Sequence, residues 1–332
     1  MKAIHMTAAG PAQDVLQLVD IPEPDITTPT QLKVQLKAAG VNPIDTKLRS
    51  RGVFYADACP TILGCDGTGI VTDTGKDVTR FRPGDAVWFC HGGLGGAPGN
   101  YAEFTVLEEA EAEYKPAELS FEEAAALPLV LITAWEALFD RARLSEGQHV
   151  LIHAGAGGVG HVAIQLARSV GAQVATTVSS QEKAEFAEQL GAIKSIPYRD
   201  CDFVEAVMEW TDGRGVDVVL DSLGGNVFRD SLRAASVYGQ VVTLLDPGSD
   251  VDWNEARSRN LGIHFTLMLT PMLQSLPAAR AHQGEILRRG AELIENGKLR
   301  PVVSTVLPLA DAARVHQLIE TGHTQGKYVL RI

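Results

Sequence analysis

The sequence predicts an α/β protein with two differently patterned regions in its 332 residues. From Met1 to about Leu119, short alternating segments separated by turn residues indicate β-strands. From Phe121 onward, apolar runs of strand length alternate with segments of helical period, as in a parallel sheet covered by helices. A glycine motif set between one such strand and one such helix is typical of nucleotide-binding folds. We therefore expect a β-rich domain followed by a doubly wound parallel sheet.

In the first region, Lys33–Ala38 alternates like a half-buried strand, and Gly67–Gly75 forms a strand between turns. Phe81–Phe89 is a turn followed by another strand. Helices are expected at Glu122–Leu127 and at Ile132–Arg141, with Pro128 at the break.

In the second region, the strands and helices should alternate with right-handed crossovers. One helix follows a capping box formed by Ser179 and Glu182 and ends before Gly191. Beyond Thr270 this alternation stops. The other expected helices are Phe203–Trp210 and Glu285–Asn296, and the expected strands are Val150–His153, Gln173–Val178, Ile193–Ile196, Val216–Asp221, Gln240–Leu245, Ile263–Leu269 and Tyr328–Arg331.

The glycine motif is the most informative stretch of the chain, because it joins the strand at Val150 to a helix with one apolar face. Gly155 permits the tight turn, Gly157 lets a pyrophosphate approach the backbone, and Gly160 lets the helix pack on the strand. The phosphates would then face the N-terminal end of the helix, around Gly158 and Val159. The motif predicts a Rossmann dinucleotide site; the alternative is a glycine-rich structural turn.

The bulk composition excludes several classes of protein. Net charge is −12 and no long run of Lys or Arg occurs, which argues against nucleic acid or an anionic membrane as a partner. No apolar stretch reaches the ~20 residues of a membrane helix, and the N-terminus lacks a secretory pattern. The four cysteines are scattered, without zinc-knuckle or disulfide spacing. A cytoplasmic enzyme is expected.

Six motifs together resemble the medium-chain dehydrogenase/reductase superfamily, in its zinc-free quinone oxidoreductase (zeta-crystallin-like) branch. The resemblance implies a GroES-like catalytic domain at 1–126 and 270–332, around a Rossmann domain at 127–269. It also implies a homodimer, because the strand matching Ile263–Leu269 joins two sheets in this superfamily. The motifs are Ala39–Asp45, Gly64–Val71, Phe81–Asp85, Gly99–Phe104, Ala154–Gly160 and Gly326–Leu330.

The resemblance also bears on metal. Zinc-dependent members take a Cys and a His from the first domain, and the matching positions here are Asn42 and Cys65. Asn is not a usual zinc ligand, and one thiol does not build a site of three protein ligands. Cys90 and His91 are imaginable ligands, but a loop His beside a buried strand Cys is more often structural. No metal is expected.

The residues at the end of the second Rossmann strand predict which nicotinamide cofactor is preferred. NAD-selective domains place an acid there for the ribose 2′-hydroxyl, whereas this strand ends in two serines, so nothing repels a 2′-phosphate. A lysine one turn into the next helix can reach such a phosphate, although its alternative is a solvated helix face beside Glu182. We expect NADPH rather than NADH. The candidate contacts outside the glycine motif are Ser179, Ser180, Lys183, Tyr198 and Lys327.

Three residues are candidates for catalysis by resemblance. Asn42 matches a residue of the family's cleft whose amide can donate to a carbonyl; the alternative is that it fixes the Val-Asn-Pro turn. Thr133 matches a threonine near the nicotinamide, or its hydroxyl bonds to its own helix. Tyr55 borders the cleft and can lend a proton, or merely packs. Asp45 is expected to cap a helix rather than act as a base.

Without a metal to polarise an alcohol, reduction of an activated double bond is the favoured chemistry, because positioning and a hydrogen bond to the oxygen suffice. The expected function is NADPH-dependent hydride transfer to a small-molecule quinone or α,β-unsaturated carbonyl. The alternatives are an enoyl-thioester reductase and a non-catalytic NADPH-binding protein, since zeta-crystallin-like relatives include lens and RNA-binding members. The acidic net charge disfavours RNA.

Overall fold

The computed structural model describes residues 1–55, 58–322 and 324–332. The chain divides into two compact units. The first unit comprises Met1–Leu129 together with Leu269–Ile332, and the second unit comprises Val130–Met268. Among the described residues, no helix is both long and apolar enough to cross a membrane.

The first unit is built mainly from antiparallel strands with short helices between them. Its elements are β1 (Lys2–Met6), α1 (Ala12–Val15), β2 (Leu16–Asp20), β3 (Gln31–Val41), α2 (Pro43–Arg51), β4 (Thr61–Ile62), β5 (Asp66–Thr74), β6 (Ala86–Cys90), β7 (Phe104–Glu108), β8 (Ala112–Tyr114), α3 (Phe121–Ala125), the start of α4 (Pro128–Trp135), α10 (Thr270–Leu273), α11 (Pro277–Glu295), β15 (Val303–Pro308), α12 (Ala312–Glu320) and β16 (Lys327–Arg331).

The main sheet of the first unit has the strand order β15-β16-β3-β5-β6-β8, with β7 also pairing with β3. Its central strand, β3, alternates in burial, and Leu32, Val34 and Leu36 pack into the core with Phe89. The C-terminal strand β16 pairs antiparallel with β3, so that Tyr328 lies opposite Val41. Strands that follow residue 300 therefore share this sheet with β3, whereas β1 pairs with β2 and β4 in a separate three-stranded sheet.

The second unit is a six-stranded parallel sheet in the order β11-β10-β9-β12-β13-β14. Counted within the unit, this is the order 3-2-1-4-5-6 of dinucleotide-binding folds, which confirms the predicted fold class. Its remaining elements are β9 (His149–Ile152), α5 (Gly158–Ser169), β10 (Gln173–Val178), α6 (Gln181–Leu190), β11 (Lys194–Pro197), α7 (Phe203–Trp210), β12 (Val216–Asp221), α8 (Gly225–Ala234), β13 (Ala235–Thr243), α9 (Trp253–Ser258) and β14 (Gly262–Phe265), preceded by a π-helix at Glu136–Arg141.

The predicted capping box at Ser179 and Glu182 is wrong. Ser180 is the N-cap of α6, and its hydroxyl accepts the backbone N–H of Lys183 at 3.3 Å. Two adjacent serines offer two possible registers, and the one used is set by the last residue with extended backbone, which here is Ser180. The predicted end of the helix at Gly191 is confirmed by its left-handed φ of 115°.

Other boundaries also differ from the sequence prediction, three of them clearly. The strand predicted at Gln240–Leu245 is β13, which begins at Ala235 and ends at Thr243. The edge strand predicted at Ile263–Leu269 ends at Phe265, because the chain turns inward and buries Met268 and Leu269. The helix predicted at Glu285–Asn296 is α11, which begins earlier, with Pro277 as its first residue. The sequence prediction contains no helix at α1, α8, α9, α10 or α12.

Candidate active site

The glycine motif forms a sharp turn between β9 and α5 in the second unit. Gly157 is the N-cap of α5, and no side chain caps this helix end. The turn is tied to the next strand, because the Ala154 N–H donates to the Thr177 hydroxyl at 3.0 Å and the Gly155 N–H to the Thr177 carbonyl at 3.3 Å. The N-terminal end of α5, with Gly158 and Val159 in its first turn, is thus held without a protein anion.

Glycine is favoured at the three positions of the motif for different physical reasons. A Cβ at Gly155 would lie 2.1 Å from the Thr176 hydroxyl, and one at Gly160 would lie 2.3 Å from the Ala154 carbonyl oxygen. Both are therefore required by packing. Gly157 has an ordinary φ of −76°, and its Cβ would meet only the Ala154 oxygen, at 3.1 Å. Packing requires this glycine least, as expected where a ligand approaches the backbone, so the turn fits a dinucleotide pyrophosphate.

The predicted 2′-phosphate contacts lie at one edge of the sheet. Ser179 and Ser180 follow β10, Lys183 is in the first turn of α6, and Tyr198 follows β11. The Tyr198 N–H donates to the Val178 carbonyl at 3.2 Å, which holds the end of β11 beside the end of β10. Tyr198 is half exposed. These four residues therefore follow the carboxyl ends of two neighbouring strands, where no acidic residue ends β10. Their contact with a 2′-phosphate stays a prediction.

Asn42 lies in the first unit, directly after β3, and is fully buried. Its Nδ2 donates to the Asp66 carboxylate at 2.9 Å, and its Oδ1 accepts a hydrogen bond from the Lys327 ammonium. Lys327 also donates to the Val41 carbonyl at 2.9 Å. These contacts tie the Asn42 amide to two strands that are distant in sequence rather than to its own turn. Its role toward a substrate carbonyl stays a prediction.

Lys327 and Asp66 are the ionised centre of this network. Lys327 is 3% exposed, and its Nζ lies 3.8 Å from the Asp66 Oδ2. Burial lowers the pKa of Lys327, an effect that Asp66 opposes, and burial raises the pKa of Asp66, an effect that Lys327 and Asn42 oppose. The predicted cofactor contact through Lys327 gains no support from these bonds, since its ammonium already meets three oxygens of the first unit.

Asp45 extends the network toward α12. Its Oδ2 accepts the Asn42 N–H at 2.8 Å and the Tyr101 hydroxyl at 2.9 Å, so it caps the start of α2 as predicted. The Tyr101 oxygen lies 3.4 Å from His316 Nε2. Burial raises the pKa of Asp45 from 3.8 to about 7, because the hydrogen bonds do not offset the loss of water. Burial, helped by the charge of Arg49, lowers the pKa of His316 to about 3.

The two other predicted catalytic residues lie in different settings. Tyr55 is 41% exposed and lines a cavity of about 720 Å³ within the first unit, together with His91 and Met272. Thr133 is buried in α4. The sequence prediction missed Asp66, Tyr101 and Lys327 as a network, although Gly64–Val71, Gly99–Phe104 and Gly326–Leu330 had already pointed to their positions.

The residues of the first unit do not fit a zinc ion. Among the described residues, no group of three or more His, Cys, Asp or Glu side chains is placed to hold a metal. At the two positions where zinc-dependent relatives supply ligands, Asn42 is hydrogen-bonded to charged neighbours and Cys65 is fully buried. The hydrogen bond with Cys90 and burial raise the pKa of the Cys65 thiol, which opposes the thiolate that zinc requires.

Comparison with known proteins places the chain in a family. Residues 28–117 match the alcohol dehydrogenase GroES-like domain, and residues 190–330 match the domain described as zinc-binding dehydrogenase. The quinone oxidoreductase of Pseudomonas aeruginosa is 35% identical over 333 residues, covering 99% of each chain. The chain belongs to the quinone oxidoreductase branch of the medium-chain dehydrogenases/reductases. This confirms the resemblance inferred from the six motifs.

Two further members of the family are informative. The 2-haloacrylate reductase of a Burkholderia species is 32% identical and covers 99% of this chain and 98% of its own. The crystal structure of Escherichia coli quinone oxidoreductase complexed with NADPH superposes with a TM-score of 0.88 at 31% identity, covering 100% of both chains. The description of one matched domain as zinc-binding thus applies to a family model, whereas the donors at residues 1–55, 58–322 and 324–332 do not fit the ion.

We predict that Gly155→Ala and Gly157→Ala separate packing from ligand binding. The Gly155 variant should lose stability, on the order of 1–3 kcal/mol, because its Cβ overlaps the Thr176 hydroxyl. The Gly157 variant should unfold almost as the unchanged protein does and yet bind NADPH at least tenfold more weakly. Thermal unfolding and calorimetric titration measure the two effects. A Gly157 variant with unchanged NADPH affinity would contradict the proposed approach of the pyrophosphate.

We also predict a pH effect centred on Asp45. Because its pKa is higher in the folded protein than its usual 3.8, its stabilising contribution is complete below about pH 4 and is lost as pH rises through 7. Asp45→Asn removes this loss, which amounts to at most on the order of 4 kcal/mol. Urea unfolding at pH 5 and pH 8 should show the variant gaining stability relative to the unchanged protein as pH rises. The exposed Asp25→Asn serves as the control, and parallel pH profiles for all three proteins would refute the assignment.

Proposed function

We propose that this protein is an NADPH-dependent oxidoreductase that transfers hydride to a quinone or an α,β-unsaturated carbonyl compound. The observation that carries the proposal is the intact glycine turn of the second unit, in a chain similar along its whole length to enzymes named quinone oxidoreductase and 2-haloacrylate reductase. Haloacrylate is itself an activated alkene conjugated to a carboxyl group. Reduction of conjugated C=C bonds therefore stands beside quinone reduction as the second candidate reaction.

The second unit would hold the cofactor. The uncapped N-terminus of α5 offers backbone N–H groups at Gly158, Val159 and Gly160 to the pyrophosphate. Lys183 and Tyr198, with the hydroxyls of the two serines after β10, would bind the 2′-phosphate, since a phosphate suits a point charge and hydroxyl donors. When bound, the dihydronicotinamide supplies the hydride, and the protein determines which substrate atom is presented to it.

The first unit would position the substrate. Its cavity is lined by Leu94, Met272 and Leu276 together with Tyr55, which suits a flat conjugated molecule. Tyr55 would pack on the substrate and exclude water, and we keep Thr133 as a proposed neighbour of the nicotinamide. The network of Asn42, Asp66 and Lys327 holds the ends of three strands in place beside the position where relatives bind zinc, and we derive no step through that metal.

We also propose that the protein works in the cytoplasm as a homodimer. All four cysteines are free, and Cys59 and Cys201 are exposed, which suits a reducing compartment. The strand β14 is at the edge of the parallel sheet; its last residue, Phe265, is 58% exposed and Leu267, just after it, is 52% exposed. An apolar open edge of this kind favours pairing with a second copy.

The direct test of the proposed function is steady-state oxidation of NADPH in the presence of small quinones, enones and haloacrylates. We expect turnover with at least one of these classes, unchanged after dialysis against a chelator, because the donor set does not fit zinc. Tight NADPH binding without turnover on any class would favour a non-catalytic NADPH-binding protein. Loss of activity on dialysis, restored by zinc, would refute the metal assignment.

Lys183→Ala tests cofactor selectivity. A charge-assisted hydrogen bond contributes on the order of 1.5–3 kcal/mol, and partial exposure of Lys183 places it at the low end. NADPH binding should therefore weaken about tenfold, while NADH binding stays nearly unchanged. Lys194→Ala is the matched control. Lys194 is also half-buried, but it is the first residue of β11, whereas Tyr198 follows the last residue of that strand. Equal losses for both cofactors, measured by calorimetry, would mean that Lys183 acts on the fold or the adenine site.

The proposed dimer is tested by the double variant Phe265→Glu with Leu267→Glu. Two acids beside β14 place like charges opposite each other if two copies pair there, so the dimer should dissociate. Light scattering should give twice the 35.6 kDa chain mass for the unchanged protein and the single mass for the variant. The exposed Leu18→Glu is the control on another strand. A single-chain mass for the unchanged protein at micromolar concentration would rule the dimer out.

A further inference from the structure

The cavity of the first unit contains a histidine that no motif of the sequence assigned to catalysis. His91 follows β6 at the start of the glycine-rich segment, and its side chain is 12% exposed. Its Nδ1 lies 2.5 Å from the Glu111 Oε2, and its backbone N–H donates to the Cys65 carbonyl at 2.7 Å. Since Nδ1 is occupied by the carboxylate, Nε2 is the ring nitrogen left for a ligand in the cavity that His91 lines.

Glu111 is itself held in place from the other side. The nearly buried Arg280 donates through Nε to the Glu111 Oε1 at 3.0 Å, and through its two other nitrogens to the Gln283 amide oxygen at 2.7 Å and the Cys90 carbonyl at 2.6 Å. Burial tends to raise the pKa of Glu111, but His91 and Arg280 outweigh it and lower this pKa to about 2. The carboxylate therefore stays ionised and faces the imidazole ring with a fixed orientation.

The other acidic groups of the cavity are engaged elsewhere. The Glu108 carboxylate accepts hydrogen bonds from the hydroxyls of Thr28, at 3.0 Å, and Thr30, at 2.6 Å. The Glu109 carboxylate accepts the backbone N–H groups of Thr79 and Arg80. Among the described residues that line the cavity, His91 and Tyr55 carry the imidazole and the phenol, whereas the hydroxyls of Thr30 and Ser275 are much weaker acids. An imidazolium is a stronger acid than a phenol, and a carboxylate orients only His91.

We propose that His91 delivers the proton to the carbonyl oxygen of a substrate bound in this cavity, and that Glu111 and Arg280 are its positioning residues. The substrate class is a neutral, flat quinone or enone whose ring or chain packs against Tyr55, Leu94, Met272 and Leu276. This inference rests on the proposed function. The arrangement of a carboxylate that orients an imidazole, with the second ring nitrogen toward the substrate, is the one that general acids and bases use.

The proposed step balances for an enone. As the β-carbon gains hydride, the C=C electrons move toward the carbonyl oxygen, where negative charge develops. The Nε2–H bond of the His91 imidazolium breaks and an O–H bond forms, which gives the enol, NADP⁺ and a neutral imidazole. The enol then becomes the saturated ketone in water, and the imidazole takes a proton from water. Glu111 compensates the positive charge of the imidazolium before the transfer.

The kinetic test uses His91→Ala, His91→Asn and Glu111→Gln in the full-length protein, with His5→Asn as the control histidine. We expect kcat to fall about 100-fold in both His91 variants and about tenfold in the Glu111 variant, with KM within about threefold. Added imidazole should restore part of the kcat of His91→Ala by occupying the space beside Glu111. Unchanged kcat in His91→Asn, or no rescue of a folded His91→Ala protein, would overturn the proposal while leaving the proposed function intact.

A second measurement does not require turnover. In protein labelled with ¹⁵N-histidine and free of cofactor, the His91 signals are those missing from His91→Asn. Addition of acetophenone, which carries a conjugated carbonyl and is not reduced without cofactor, should shift the Nε2 signal of His91 and leave His5 unchanged. An unmoved Nε2 signal at saturating ketone would overturn the assignment. If the unchanged protein reduces no quinone or enone but this shift is seen, the proposed function is refuted. The assignment of His91 as a residue that binds a carbonyl group is then retained.

Discussion

The buried ion pair of Asp66 and Lys327, bridged by the Asn42 amide, is the constraint on which the first unit depends. Three strands that are neighbours in the sheet, β16, β3 and β5, each contribute one end to it. A charge buried without a partner lowers the stability of the fold by several kcal/mol. Replacing any one of the three groups would therefore leave a buried polar partner uncompensated. The pair also fixes the amide orientation of Asn42, because its oxygen faces an ammonium group and its nitrogen faces a carboxylate.

The same position shows how a fold can keep its geometry while it changes its chemistry. Zinc-dependent relatives would stabilise negative charge at this place with an ion, whereas this chain buries an ammonium group and a thiol that remains protonated. The catalytic demand then shifts to groups that can give a proton or a hydrogen bond. In the proposed reaction, the cavity of the first unit would supply such a group, since Glu111 fixes the His91 ring and Arg280 bonds to the Cys90 carbonyl at the end of β6.

Local patterns were sufficient for the parallel sheet. Three predicted elements agree with the structure residue by residue: the strand Gln173–Val178, the helix Phe203–Trp210 and the strand Val216–Asp221. Their hydrophobic period and composition were sufficient to identify them. The amphipathic helices α8 and α12 were nevertheless missed, and two other errors occur at places on which periodicity carries no information. The choice between Ser179 and Ser180 as a cap depends on one backbone angle, and the early end of β14 depends on the burial of Met268.

The polar sites were predictable only in part, for a related reason. The glycine turn is a contiguous segment, so neighbouring residues in the sequence determine its geometry. The network around Asn42 joins positions 24 and 285 residues apart, and the His91 carboxylate partner is 20 residues away with an arginine a further 169 beyond it. Single motifs marked Asn42 and Lys327, but only the sheet register shows that they touch, and this changes the interpretation of both.

The pairing of β16 with β3 also sets the order in which the chain can fold during synthesis. The strands from Val130 to Met268 form their sheet without any residue from either end of the chain. The first unit cannot close its sheet until Lys327–Arg331 has left the ribosome, since β16 and β15 extend it beyond β3. Its earlier strands therefore wait, with the Ala38–Val41 part of β3 unpaired on one side, through the translation of about 200 residues. A nascent chain that stalls before Lys327 would carry a folded nucleotide unit and a sheet that lacks β16.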